Sequence, residues 1–308
     1  MPPLESLVSP QVQSRLFGVL GDPIEHSLSP ALHNAAFAAL DLPHVYLRFR
    51  VPPRDLPDAL DDARRLGIRG LNLTIPLKET VLPLLDAISP EAHAMEAVNT
   101  LTFDGRRVLG DNTDGRGFLR ALAGHVRIHG ADVVLIGAGG SARAVGTALV
   151  RQGCATLTIA NRTPARGEAL AERLAVAGTA HVRAVPLAAL GRSSTVERAS
   201  LVVNTTPAGV QGGVRIPLRA AATPSRCVFA DLVYAARPTP FLAAARRAGR
   251  TALDGRGMLL HQGALAFERW LGVPAPRAAM ARALAAAGLP LTQPRAARTS
   301  RAARPVHP

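Results

Sequence analysis

The chain has 308 residues, a formal net charge of +14 and 48% hydrophobic residues. That length accommodates one or two domains with a substantial core, and the apolar runs are too short to span a bilayer. Two cysteines, Cys154 and Cys227, are too few for a disulfide framework or a metal site and are expected as buried thiols.

The first residues, M-P-P-L-E-S-L-V-S-P, lack a basic region followed by an apolar one, so no signal peptide is expected and a cytoplasmic protein is. R-L-F-G-V-L-G (15–21) reads as a strand. Ser29 and Pro30 then offer an N-cap and a first-turn proline to a helix over A-L-H-N-A-A-F-A-A-L. H-V-Y-L-R-F-R-V (44–51) alternates like a half-buried strand. A helix over 55–66 stops at Gly67, and G-L-N-L-T-I (70–75) is a strand ended by Pro76. Residues 96–113 read as a hairpin turning at Asp104-Gly105.

A second unit starts near 114 with a helix at G-F-L-R-A-L. The apolar strand of A-D-V-V-L-I-G-A-G-G-S-A-R (131–143) breaks into glycines, and a helix follows to about Arg151. Then come a strand at 156–160, a helix near 165–176, strands at 200–205 and 227–233, a helix near 239–248 and a short strand at T-A-L-D. Apolar strands alternating with helices predict a parallel, doubly wound α/β sheet. A helix over 258–271 follows and is free to return to the first domain. Residues 275–308 hold six arginines and no acid. Their first part suits a short helix and the rest reads as disordered. Aromatics make up 4% of the chain and none falls in this tail, which offers no base stacking.

Two groups of residues point to chemistry. G-A-G-G-S-A (137–142) lies between a strand and a helix, the context of a dinucleotide fingerprint. Gly137 permits the tight turn, Gly139 lets the backbone approach a pyrophosphate, and Ala142 fills the third small position. Ala138, Gly140 and Ser141 complete the loop, and the helix N-terminus supplies amide donors. An NAD site carries an acid about twenty residues on. Here the next strand ends in Asn161-Arg162-Thr163, and Arg162 and Arg166 suit a 2′-phosphate instead, so the expected cofactor is NADP.

The second group is polar. Lys78 is the one lysine among 36 basic residues. An ammonium can exchange a proton where a guanidinium cannot, although a composition biased to arginine must keep a lysine somewhere. Ser27 and Ser29 follow the first strand, Asn72 and Thr74 alternate along another, Asn99 begins a third, and Asp114 sits at the domain junction. Each has an ordinary reading: Ser29 and Asp114 as helix caps, Asn72 as a turn former. Their convergence on strand ends around a cofactor crevice instead suits a small polyhydroxylated acid.

Nine ordered stretches carry a family resemblance. They are G-D-P-I-E-H-S-L-S-P-A-L-H-N (21–34), N-L-T-I-P-L-K (72–78), A-V-N-T (97–100), G-D-N-T-D-G-R-G-F (110–118), G-A-G-G-S-A-R (137–143), N-R-T (161–163), N-T-T-P-A-G (204–209), D-L-V-Y (231–234) and D-G-R-G-M-L-L-H-Q-G (254–263). From about 15 to 272 the chain resembles shikimate dehydrogenase. The resemblance implies NADP-linked, reversible oxidation of the shikimate C3 hydroxyl, in the pathway to aromatic amino acids. Lys78 and Asp114 would be the catalytic pair. Ser27, Ser29, Asn72, Thr74, Asn99 and Gln262 would line the substrate site, with Tyr234 near the carboxylate. The loop 137–142, Asn161, Arg162, Thr163, Gly255 and Met258 would hold NADP.

The implied fold is an N-terminal α/β substrate domain (1–113, completed by 256–275), a Rossmann-type NADP domain (114–255) and a largely disordered tail (276–308). A homodimer is a candidate assembly; a membrane partner and specific nucleic acid are not expected. Three positions depart from the family pattern: Glu96 stands where glycine is usual, Val210 replaces a methionine, and Ala236 replaces a proline. The rivals are the same chemistry on quinate or an aminoshikimate, a non-catalytic NADP-binding regulator, and nucleic-acid binding through the tail.

Overall fold

The computed structural model describes residues 14–208 and 215–287. The chain first builds a six-stranded sheet from β1 (Leu16–Gly21), β2 (Val45–Arg50), β3 (Gly70–Leu73), β4 (Ala87–Ile88), β5 (Thr100–Asp104) and β6 (Arg107–Asp111), in the order β2-β1-β3-β5-β6-β4. Its helices are α1 (Ser29–Ala39), α2 (Leu56–Arg65), α3 (Leu77–Thr80) and α4 (Pro90–Met95). The crossovers through α1 and α2 make β1 parallel to both β2 and β3, while the β5–β6 hairpin runs antiparallel and contains Gly105 at φ 58°. Helix α2 buries Leu56, Leu60 and Ala63 and turns its charged residues outward. Gly67, at φ 67°, ends it as expected.

The second sheet is parallel throughout. Its strands are β7 (Asp132–Ile136), β8 (Thr156–Asn161), β9 (His181–Pro186), β10 (Leu201–Asn204), β11 (Val228–Asp231) and β12 (Thr251–Leu253), in the order β12-β11-β10-β7-β8-β9. Winding therefore reverses between β7 and β10, which is where a doubly wound sheet opens a ligand crevice at the carboxyl ends of its strands. Helices α5 (Asp114–Leu122), α6 (Gly140–Arg151), α7 (Pro164–Ala175), α8 (Ser193–Val196) and α9 (Pro240–Arg247) accompany the strands. Along β7, Val133 and Leu135 enter one apolar cluster, Val134 and Ile136 another. Both faces are buried, which is why this strand reads as an unbroken apolar run. Cys154 and Cys227 are buried free thiols, as expected, and burial pushes both up to about 11.

Two last helices return to the first sheet, α10 (Arg256–Leu271) and α11 (Arg277–Ala286). From α10, Leu259, Leu260, Ala264 and Phe267 join a cluster with Phe17, Leu32, Phe37 and Tyr46. Trp270 Nε1 donates to the Leu101 carbonyl of β5 at 2.9 Å. The indole lies so close to β3 that a β-carbon at Gly70 would sit 2.4 Å from it. No described helix is long and apolar enough to cross a membrane.

Two expectations are corrected. Residues 277–286 form the short helix expected there but are not part of a separate tail: Met280 and Leu284 are fully buried with the α1 side chains, so the helix belongs to the first core. The basic remainder lies outside the described residues, as does Val210. Ser29 is not a helix cap. Leu28 holds that position, and Ser29 is the first residue of the helix.

Candidate active site

The end of β3 and the start of α5 bring Lys78 and Asp114 together. Lys78 lies in the short helix just past β3; Asp114 is the first residue of α5, where its N–H is held by Asn112 Oδ1 at 2.9 Å. Lys78 Nζ donates to Asp114 Oδ2 at 2.6 Å. Their side chains are 12% and 5% exposed, so this is a buried ion pair rather than a solvated one. The other carboxylate oxygen of Asp114 accepts from Asn99 Nδ2 at 2.8 Å. With both oxygens engaged, the carboxylate is fixed in orientation, and so is the ammonium.

A chain of polar side chains runs outward from this pair. Asn99 Nδ2 also reaches Thr113 Oγ1 at 3.0 Å and Gln262 Oε1 at 3.4 Å. Thr100 Oγ1 donates to Asn99 Oδ1 at 2.8 Å, and Asn72 Nδ2 donates to Thr100 Oγ1 at 3.2 Å and to the Asn99 carbonyl at 3.0 Å. The Tyr46 hydroxyl closes the far end by donating to Asn72 Oδ1 at 2.8 Å. Burial pushes the Tyr46 phenol well above its ordinary value, a hydrogen bond with Ser29 opposing the shift. Burial also raises Tyr234, against hydrogen bonds with the Leu28 backbone and the Ser27 side chain.

Of the seven expected substrate residues, Asn72, Asn99 and Gln262 fall on this chain, while Ser29 lies near its Tyr46 end and Ser27 near Tyr234. Thr74 lies past the end of β3, packed against Gly21, and joins none of these bonds. Gln262 comes near because Gly117 on α5 lets α10 approach; a β-carbon there would lie 2.7 Å from it.

The glycine loop sits at the carboxyl end of β7, at the point of reversed winding. Gly137 has φ 112°, and a β-carbon on it would meet Thr205 Oγ1 at 2.4 Å, so only glycine turns the chain here. A β-carbon at Gly139 would meet nothing within 4 Å, which leaves open space above the loop. No side chain caps α6, and its first turn carries no acid, leaving amide donors for an anion. Ala142 is fully buried, as the third small position requires. Asn161 Nδ2 donates to the Thr163 carbonyl at 2.8 Å and shapes the turn after β8. Arg162 and Arg166 are exposed and, among the described residues, make no ion pair. Free guanidinium groups, a bare helix N-terminus and an uncrowded loop fit a dinucleotide bearing a 2′-phosphate. Gly255 is packed so tightly that a β-carbon would lie 2.1 Å from the Leu232 carbonyl oxygen. Met258 is buried in the second core with Phe118 and Ala138, and its packing does not mark it as a cofactor contact.

Cofactor loop and ion pair meet directly: Lys78 Nζ lies 3.2 Å from Ser141 Oγ. Three family models match the chain. They are the shikimate dehydrogenase substrate binding domain (residues 19–101), shikimate / quinate 5-dehydrogenase (121–209) and the shikimate 5′-dehydrogenase C-terminal domain (255–285). The shikimate dehydrogenase (NADP(+)) of Moorella thermoacetica is 46% identical over 282 residues, covering 90% of this chain and 95% of that protein. The chain belongs to the shikimate dehydrogenase family. A crystal structure of shikimate 5-dehydrogenase from Thermus thermophilus in complex with NADP(H) and shikimate superposes with a TM-score of 0.78 at 41% identity, covering 89% of this chain and all of that one. Quinate dehydrogenase from Corynebacterium glutamicum in complex with NAD gives 0.80 at 33% identity, covering 89% and 99%. Asp114 and Tyr234 lie between the segments matched by the family models.

Sequence reasoning missed Tyr46, Thr100 and Thr113. Tyr46 carried one usable signal: with Tyr234 it is one of two tyrosines in the chain.

Proposed function

We propose that the protein catalyses the reversible NADP-linked interconversion of shikimate and 3-dehydroshikimate. The observation that carries this reading is the buried Lys78–Asp114 pair at 2.6 Å, with Lys78 also touching Ser141 of the cofactor loop. A proton-exchanging group therefore stands where a substrate must meet a cofactor.

The bound nicotinamide supplies one thing, a hydride acceptor or donor at the ring C3 of the substrate. The residues of the chain do the rest. In alcohol oxidation the neutral amine form of Lys78 takes the hydroxyl proton as the C–H bond breaks and becomes the ammonium; in ketone reduction the ammonium returns that proton to the carbonyl oxygen. Asp114 orients Nζ toward the reacting hydroxyl. Asn99 locks Asp114, and Gln262 and Asn72 stand along the same polar line. Ser27, Ser29 and Tyr234 present hydroxyls to the substrate carboxylate. The loop 137–142 and the N-terminus of α6 would hold the pyrophosphate, and Arg162 and Arg166 the 2′-phosphate.

The same reading places the protein in the cytoplasm, which its buried unpaired thiols suit. It also allows a homodimer, for which exposed Val45 and Leu47 on the edge strand β2 offer apolar surface to bury; sedimentation velocity tests that assembly. The activity is tested by reduced-cofactor formation with purified protein, shikimate or quinate, and NADP or NAD. Turnover with shikimate and NADP is expected. Preference for quinate or NAD keeps the catalytic pair and overturns the specificity. Absence of turnover with every pair, in folded protein, overturns the function.

A further inference from the structure

Glu96 stands where the family pattern has glycine, and its backbone shows what glycine would do there. It closes α4 at φ 43°, ψ 43°, the left-handed region in which a β-carbon is strained. The side chain kept in this strained position reaches from the first-sheet unit to the second. One carboxylate oxygen of Glu96 accepts from Arg143 Nη1 at 3.0 Å, and the other meets Arg173. Arg143 Nη2 in turn lies 3.2 Å from Glu79 Oε2. Acids from the first unit thus alternate with arginines from the second.

The place of this network matters. Glu79 follows Lys78 directly, and Arg143 follows Ser141 by two residues in the first turn of α6. The two backbones are close: a β-carbon at Gly140 would lie 3.2 Å from Lys78 Cβ and 3.6 Å from Glu79 Oε1. The network therefore clamps the segment carrying the proposed acid–base lysine onto the N-terminus of the helix that receives the cofactor. We propose that Glu79, Glu96, Arg143 and Arg173 form an electrostatic latch across the cleft, with Glu96 and Arg143 as positioning residues that favour the closed, ligand-competent arrangement. The inference rests on the proposed function for the role of Lys78, but not for the latch itself. Its members are partly exposed, so added salt weakens it.

Two substitutions separate a latch from a local structural role. Glu96→Gly removes the charge and relieves the backbone strain; Glu96→Gln removes the charge alone. NADP affinity is measured by titration calorimetry without turnover, at low salt and at about 0.5 M KCl, where screening is short-ranged. Shikimate KM and kcat are measured alongside. Both variants are expected to bind NADP roughly threefold to tenfold more weakly at low salt, because a smaller closed population lowers apparent affinity. The ratio to the unaltered chain shrinks toward one at high salt, shikimate KM rises with little change in kcat, and the glycine variant melts no lower than the parent. Affinities within about 1.5-fold of the parent at low salt, too small a change for a latch that shifts populations, overturn the proposal. So does a loss that is equal at both salt concentrations. If the unaltered chain binds NADP but does not turn over shikimate, the functional reading fails while the calorimetry still decides the latch.

Discussion

Replacing His33 with phenylalanine removes two ring nitrogens that the first core leaves without partners. The imidazole is fully buried and stacked on Tyr46, with centroids 4.3 Å apart and planes 7° apart, and Phe37, Phe267 and Trp270 surround it. Neither nitrogen has a hydrogen-bond partner. Burial pushes its pKa down to about 3 from an ordinary 6.5. An unfolded chain therefore takes up a proton below pH 6.5 that the folded chain refuses until about pH 3. The stability tied to neutral His33 is fully present above pH 6.5 and is lost as pH falls. At 1.36 kcal/mol per unit the loss is about 3 kcal/mol by pH 4.5 and about 5 kcal/mol by pH 3. Urea unfolding of His33→Phe and of the parent, from pH 7.5 to 4.5, measures it. The larger ring sets an offset of either sign at pH 7.5: overpacking costs about 1–3 kcal/mol, and relief of unpaired nitrogens returns a similar amount. The difference between the two chains should then move by about 3 kcal/mol in favour of the variant on acidification. Parallel curves across that range would refute the reasoning, whatever the offset.

Asp231 should show the opposite slope. Burial raises its carboxyl to about 6 despite hydrogen bonds from Thr239, the Val233 N–H and Asn204, so its contribution is present below the unfolded value near 3.8 and is lost as pH rises through 6. Asp231→Asn should gain about 3 kcal/mol on the parent between pH 4 and 7, and denaturant midpoints with equal pH dependence would contradict this. Trp270→Phe deletes the bond that docks α10 on β5; a loss of about 1–3 kcal/mol is expected from chemical denaturation, and an unchanged midpoint would show that the docking does not depend on it. Removing both Arg162 and Arg166 as alanines should weaken NADP binding on the order of tenfold or more while leaving NAD within about twofold. An equal loss for both cofactors would remove the 2′-phosphate assignment.

What the sequence displayed was local. The apolar run of β7 breaking into Gly137 and the glycine ending α2 could be read directly, because each is set by neighbours along the chain. β9 was not legible: it is an edge strand, His181–Pro186, half exposed, with no apolar run. The helices α3 and α4 are four and six residues long, too short to show a period. Helix α11 was legible as a short helix, but its docking on the first core was not, because only Met280 and Leu284 are buried. The polar line through the site was the least legible feature. Tyr46 reaches Asn72 across 26 positions and Asn99 reaches Gln262 across 163. The residue types were visible, but only the meeting of β2, β3, β5 and α10 reveals which atoms touch. Glu96 was marked as a departure, and its left-handed backbone and its bridge to Arg143 and Arg173 needed the fold.

The account turns on Lys78 moving a proton rather than merely holding a charge. Lys78→Arg retains a cation beside Asp114 and cannot exchange its proton at working pH. Measured by steady-state turnover and by shikimate binding in the same preparation, the variant should bind shikimate and lose most of kcat. Near-native kcat in Lys78→Arg would contradict the assignment of Lys78 as the acid–base group.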